Sequence, residues 1–196
     1  MIPRNVQITL ILLLVSILVT GIYILHFRRG TQDSLRSASE SRPVAPPVKG
    51  KREPIELSIA YDDDAVFRSR EVIGILPDDP SERARAILET LIAEYVARPS
   101  PHPLAQGSSI NSVFLVGQKL AVVDLNRAFV DEHRSGIMVE DFTLLSLIDT
   151  LAANFPNLEQ VKLLVDGKER ETLAGHADMK TIYNISVVHQ LVNQLQ

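Results

Sequence analysis

Val6 to Phe27 is a run of 22 residues without one Asp, Glu, Lys or Arg. As a helix it would span roughly 33 Å, enough to cross a hydrocarbon core of about 30 Å. Gln7, Thr9, Ser16 and Thr20 are tolerable in lipid, and Tyr23, His26 and Phe27 gather at one end, where amphipathic rings favour the interface. A cleaved signal peptide has a shorter apolar core and a small-x-small site. Leu25-His26-Phe27-Arg28-Arg29 offers no such site. Residues 1–29 therefore read as an uncleaved N-terminal transmembrane signal anchor. Only Arg4 precedes the run, whereas Arg28, Arg29 and Arg36 follow it, and that bias taken alone favours a cytoplasmic C-terminal part.

Residues 30–54 read as a linker. Pro43, Pro46 and Pro47 favour extended chain, and no periodic apolar face is present. The rest, within 196 residues, allows one domain with accessories. A net charge of -4 with singly scattered Lys and Arg argues against nucleic acid as a partner, because phosphate neutralisation needs a basic face. The absence of cysteine excludes disulfides, thiolate metal sites and cysteine nucleophiles.

Ile55, Leu57, Ile59 and Tyr61 alternate with smaller or polar residues and predict a half-buried strand. Asp62-Asp63-Asp64 turns the chain into a second strand over Val66–Ile75. Asp79, Pro80 and Glu82 form a helix start, and Ala84, Ile87, Leu88, Leu91, Ile92 and Tyr95 recur at helical spacing. Arg98-Pro99-Ser100-Pro101-His102-Pro103 cannot continue that helix. A second hairpin is expected over Ser112–Asn126, with Gly117-Gln118 as a type II′ turn. A second helix is expected over Glu140–Asn154, then a strand over Val161–Val165, the turn Asp166-Gly167 and a last strand over Lys168–Thr172. The order is β-β-α-β-β-α-β-β. It predicts an α/β (α+β) two-layer sandwich, a mixed, mostly antiparallel sheet with two helices on one face.

Three clusters carry candidate chemistry. Asp62-Asp63-Asp64 lacks the spaced ligands and central Gly of a calcium loop and reads as an acidic turn. Gly175-His176-Ala177-Asp178 sets an imidazole two residues from a carboxylate, either as a base with its orienting group, as half a metal site or, more commonly, as a pair pinning the last turn of the domain. Asp124 ends a strand, Asp149 is placed on the polar side of the second helix, and Asp166 makes a turn. Asp124, Asp149, His176 and Asp178 are thus the ligand-binding candidates. No catalytic, cofactor or metal motif is present: the phosphate-binding glycine patterns, Gly-x-Ser-x-Gly and His-Glu-x-x-His are all missing.

The stretches Val122-Val123-Asp124-Leu125-Asn126-Arg127-Ala128-Phe129, Asp149-Thr150-Leu151-Ala152-Ala153-Asn154-Phe155-Pro156, Val161-Lys162-Leu163-Leu164-Val165-Asp166-Gly167 and Leu173-Ala174-Gly175-His176-Ala177-Asp178 together resemble the GerMN domain. The resemblance covers residues 55–178, with Asp149 standing where the family pattern more often has Asn. It implies a bacterial envelope protein with an extracytoplasmic, non-catalytic domain that binds or assembles. Some relatives look similar to ring-building motifs.

In the tail, residues 179–196, Ile185, Val188, Val192 and Leu195 make a short apolar stripe. Such a segment either self-associates or, more commonly, packs on its own domain. The expected function is a membrane-anchored binding module for an envelope protein or cell-wall polymer, with no cofactor. The alternatives are a self-assembling module and an envelope hydrolase using His176 and Asp178. The membrane, through residues 6–27, is the first partner.

Overall fold

A computed structural model describes residues 50–196. The anchor expected over residues 1–29 lies outside them, as does the expected linker up to residue 49. Among the described residues no helix is long and apolar enough to cross a membrane.

Strands β1 (Gly50–Tyr61) and β2 (Val66–Pro77) pair antiparallel along their whole length, from Gly50↔Pro77 to Tyr61↔Val66. The strand begins at Gly50, five residues before the apolar alternation. The side chains of residues 50–52 and 54 stay exposed, so periodicity carries no trace of their pairing. Helix α1 (Pro80–Val96) starts where Asp79 Oδ1 accepts from the Glu82 amide at 2.9 Å, and it buries the six residues of the expected stripe.

Strands β3 (Ile110–Val116) and β4 (Leu120–Leu125) form the second hairpin. Gly117 and Gln118 have φ of 58° and 60°, so the turn is type I′ rather than the expected II′. Its handedness follows the strand twist. A short helix α2 (Arg127–Asp131), capped by Asn126, was not legible as an element. Helix α3 runs over Ile137–Asn154, three residues earlier than expected.

Strand β5 (Gln160–Val165) lies parallel to β4. The strand expected at 168–172 does not form. The chain makes only the isolated bridges Val165↔Lys168 and Thr172↔Asp178, because the remaining edge of β5 is taken by β6 (Ile182–Asn184) from the tail. Helix α4 (Ile185–Asn193) follows, capped by Asn184. Its Val188 and Val192 are buried, so the tail stripe packs on its own domain.

Among the described residues the result is α+β, but with two sheets, β1-β2 and β3-β4-β5-β6, and four helices instead of one sheet and two helices. The reason lies on α3. Glu140, Thr143, Ser146 and Thr150 form a buried polar stripe, which Asn154 continues, and its last three members run along the free edge of β1. The Ser58 amide donates to Thr150 Oγ1 at 3.0 Å and the Ser146 hydroxyl donates to the Ser58 carbonyl. Asn154 accepts from the Glu56 amide and donates to its carbonyl, at 3.2 and 2.7 Å. The Ala60 amide donates to the Tyr95 hydroxyl at 2.8 Å, and the Asp62 amide to the Pro101 carbonyl at 3.1 Å. Helix and loop groups thus stand where another strand would, and the amides of Glu56, Ser58, Ala60 and Asp62 on this edge each keep a partner. The core between the sheets and helices includes Ile55, Leu57, Leu88, Leu91, Val123, Leu147, Ile148 and Leu163.

Candidate functional site

The four candidate residues fall in four different places. Asp124 accepts from the Gly167 amide at 2.7 Å and from Asn111 Nδ2 at 3.2 Å, holding the Asp166-Gly167 turn against β3. Asp178 accepts from the Lys180 amide at 2.7 Å and the Thr181 hydroxyl at 2.6 Å. The Thr181 hydrogen bond and the local amides hold its carboxyl below the usual range. Asp178 is occupied by its own loop, and Asp124 by the 166–167 turn and Asn111 of β3.

His176 does not pair with Asp178. Its Nδ1 lies 2.9 Å from Oε1 of Glu140, whose side chain is fully buried. The amides of Ala174, His176 and Ala177 donate to Glu140 Oε2 at 2.9, 2.9 and 3.0 Å, and that of Gly136 donates to Oε1 at 3.1 Å. Burial pushes this carboxyl up, but the hydrogen bonds from His176 and the amides outweigh it and bring the pKa down to about 2. A carboxylate thus clamps segment 173–177 to the first turn of α3. Ser135 Oγ is 3.4 Å from His176 Nδ1, the same nitrogen that faces Glu140. A nucleophile–base–acid relay needs the two partners on opposite ring nitrogens, and this arrangement does not provide that.

A second network sits one turn along α3. His102, fully buried in the Pro-rich loop, places Nδ1 2.6 Å from Asp62 Oδ1 and Nε2 2.6 Å from Thr143 Oγ1. His133 Nε2 lies 2.8 Å from the same hydroxyl, and its Nδ1 lies 2.7 Å from the Arg134 carbonyl. Arg134 pairs with Asp62 Oδ2. Burial raises the Asp62 carboxyl, yet the hydrogen bonds from His102 and Arg134 hold it below its ordinary value. Glu140 and Thr143 were missed by sequence reasoning. The available signal was polar residues at spacings of three and four within an otherwise apolar helix.

Asp149 is nearly buried rather than on a polar face, and its Oδ1 lies 2.7 Å from His189 Nδ1 on α4. His189 lines a cleft of about 430 Å³ with Ala152, Ala153, Leu158, Ile185 and Ser186. The first amides of α4 are already satisfied. Ile185 donates to the Glu159 carbonyl, and Ser186 and Val187 donate to Asn184 Oδ1. The cleft therefore presents no free helix N-terminus to an anion.

An exposed apolar surface lies on the four-stranded sheet, beside others at Ile73 and Ile75 on β2 and at Ile137 and Met138 on α3. Register places Phe114, Val122, Lys162 and Ile182 in one row across all four strands, and residues opposite one another share a face. The neighbouring rows add Val116, Leu120 and Leu164. The other face carries the buried Val113, Ala121, Val123, Val161 and Leu163 under the helices. Phe114, Val116 and Ile182 remain 59%, 56% and 49% exposed. Lys162 is no solvated charge: its ammonium bonds the Lys180 carbonyl and Glu169 Oε1. Among the described residues, no three His, Cys, Asp or Glu side chains converge as a metal site.

The family described as Germane, sporulation and spore germination, matches residues 56–171. The tandem GerMN domains of the sporulation protein GerM from Bacillus subtilis share the fold, with a TM-score of 0.52 and 19% identity over 68% of this chain. This chain spans only 46% of that tandem structure. The first GerMN domain of the same protein is 20% identical, with a TM-score of 0.49 over 65% of this chain and 92% of that one. No curated protein sequence matches the chain. A family match extending from β1 to the loop after β5 covers most of the folded part. The chain belongs to the Germane family, and its folded part is a GerMN domain.

Proposed function

We propose that this protein is a membrane-tethered, non-catalytic module of the bacterial envelope that binds a partner protein through the open face of its four-stranded sheet. Family membership gives the sporulation-related setting. The observation that carries the reading is the exposure of Phe114, Val116 and Ile182 on one face of the sheet, with half-buried Val122 between them. Solvated sheet faces normally alternate to polar residues, and contiguous exposed apolar patches mark interaction surfaces. The polar clusters support the same reading, because each of their groups is engaged inside the fold. Tethering follows from the charge-free run of residues 6–27. The family setting favours an extracytoplasmic domain over the cytoplasmic one that the arginine bias suggests.

Photo-crosslinking in the full chain, in native membranes, tests the binding surface. Benzoylphenylalanine at position 114 or 116 is expected to give one discrete protein adduct, whereas the same probe at exposed Glu82 on α1 gives none. Equal labelling at all three positions would reject the sheet face. An alkaline phosphatase fusion at Gln196 is expected to be active, and fluorescence from a green fluorescent protein fusion instead would reverse the orientation.

A further inference from the structure

The β1–β2 hairpin has two edges, and only one of them is closed. In an antiparallel pair, residues outside the mutually bonded pairs turn both amide and carbonyl away from the partner strand. Glu56 and Ser58 identify those residues, because side chains of α3 bind the amide and the carbonyl of each. Their partners in register are Glu71 and Ser69, and the unbroken register extends the same parity to Ile73, opposite Pro54, and Ile75, opposite Arg52. The amides and carbonyls of Ser69, Glu71, Ile73 and Ile75 therefore point outward along the far edge of β2. On the β1 edge, α3 and Tyr95 fill these positions from Glu56 to Ala60, and Pro54 has no amide to offer. On the β2 edge the Phe67 amide is covered by the Leu195 carbonyl at 2.8 Å. Beyond it, the four outward positions find no backbone partner among the described residues, and their side chains are exposed.

We infer that this edge docks an extended segment of a partner protein, added to β2 as a third, antiparallel strand that carries two alternate apolar residues followed by a cation. The ladder names the class of partner. Outward amides and carbonyls repeating every about 6.7 Å are matched by another extended polypeptide, and the Phe67–Leu195 bond shows that the edge accepts main chain. The side chains name the sequence. Ser69, Glu71, Ile73 and Ile75 share one face of the hairpin, with Ile73 and Ile75 67% and 53% exposed. Arg68 and Arg70, on the other face, are taken by Asp64 and Glu94, which leaves Glu71 as the edge's unpaired charge among the described residues. Antiparallel order then sets the partner's first apolar residue opposite Ile75, its second opposite Ile73 and its cation opposite Glu71. A second copy of this chain does not fit, because the residues of β2 on the face of Glu71 include no Lys or Arg. The site lies on the two-stranded sheet and is independent of the open face of the four-stranded one.

Amide NMR and hydrogen exchange on the ¹⁵N-labelled full-length protein in micelles test this, with the synthetic peptide acetyl-Val-Thr-Val-Thr-Lys-Thr-Thr-amide as the probe. Without peptide, the amides of Ser69, Glu71 and Ile73 are expected to exchange about tenfold faster than those of Arg68, Arg70 and Val72, which face β1. Millimolar peptide is expected to remove that alternation and to shift the resonances of residues 69–75. Methylating the backbone nitrogens of the two Val and the Lys, which face the edge, should abolish binding, whereas methylating the Thr nitrogens between them should not. Glu71→Lys, at an exposed position that leaves the fold intact, is expected to weaken binding about fivefold, and a peptide with Glu in place of Lys should restore it. Protection of Ser69, Glu71 and Ile73 before any peptide is added would show the edge already covered and would overturn the proposal. So would equal binding of the Val- and Lys-methylated peptide, shifts centred on Phe114, or no shift at residues 69–75.

Discussion

Glu140 concentrates the domain's electrostatics in one side chain. Four amides and an imidazole converge on it, so Glu140→Gln keeps the volume but turns an NH₂ toward donors. The expected loss is about 3 kcal/mol in urea unfolding at neutral pH, the scale for breaking a buried, hydrogen-bonded charge. The pH dependence has a definite sign. The folded value lies near 2 against an ordinary 4.5, so the carboxylate's contribution is complete above about pH 4.5 and is lost as pH falls through about 2. Glu140→Gln should therefore flatten the acid side of the stability curve, and an unchanged acid slope would refute the cage. His176→Ala removes only one of the five contacts on a part-exposed ring and should cost about 1 kcal/mol.

At the scale of elements, those whose apolar period is undisturbed were legible. Helix α1 and the first hairpin are legible because Ile87, Leu88, Leu91 and Ile92, and Ile55, Leu57 and Ile59, repeat at clean intervals. The pairing of α3 with the β1 edge was not legible. It rests on Ser146, Thr150 and Asn154, which read as ordinary polar helix positions until a strand edge lies beside them. Thr150→Val, nearly isosteric, strands the Ser58 amide and is expected to cost about 1–3 kcal/mol, with faster exchange of that amide as the direct readout. The tail misled for a related reason. Ile182-Tyr183-Asn184 is too short to announce a strand, yet it outcompetes 168–172 for β5 because α4 carries it into place. Ending the chain after Asn184 removes the buried Val188 and Val192, roughly 1.5–3 kcal/mol each, together with the His189 cap on Asp149. A thermal midpoint unchanged by that truncation would show that α4 does not hold the domain together.

For the whole molecule, the open sheet face sets what the domain can do alone. Its exposed apolar area is on the order of a few hundred Å², short of the roughly 800 Å² per partner typical of stable interfaces. A second copy docking there from solution would gain too little to offset its lost translational and rotational freedom. Residues 48–196 are therefore expected to remain monomeric by light scattering at about 100 μM, and a concentration-dependent dimer abolished by Phe114→Ser would instead favour self-assembly. Tethering changes the balance. Two chains held in one membrane meet at an effective concentration orders of magnitude above that in solution, so a face too small to associate freely suffices for a partner fixed beside it. Reconstituting the full chain in vesicles with solubilised envelope proteins should yield the position-114 crosslink, and adding free residues 48–196 in excess should compete poorly. Efficient competition by the untethered domain would mean that the face binds strongly by itself, and the membrane would then have no part in recognition.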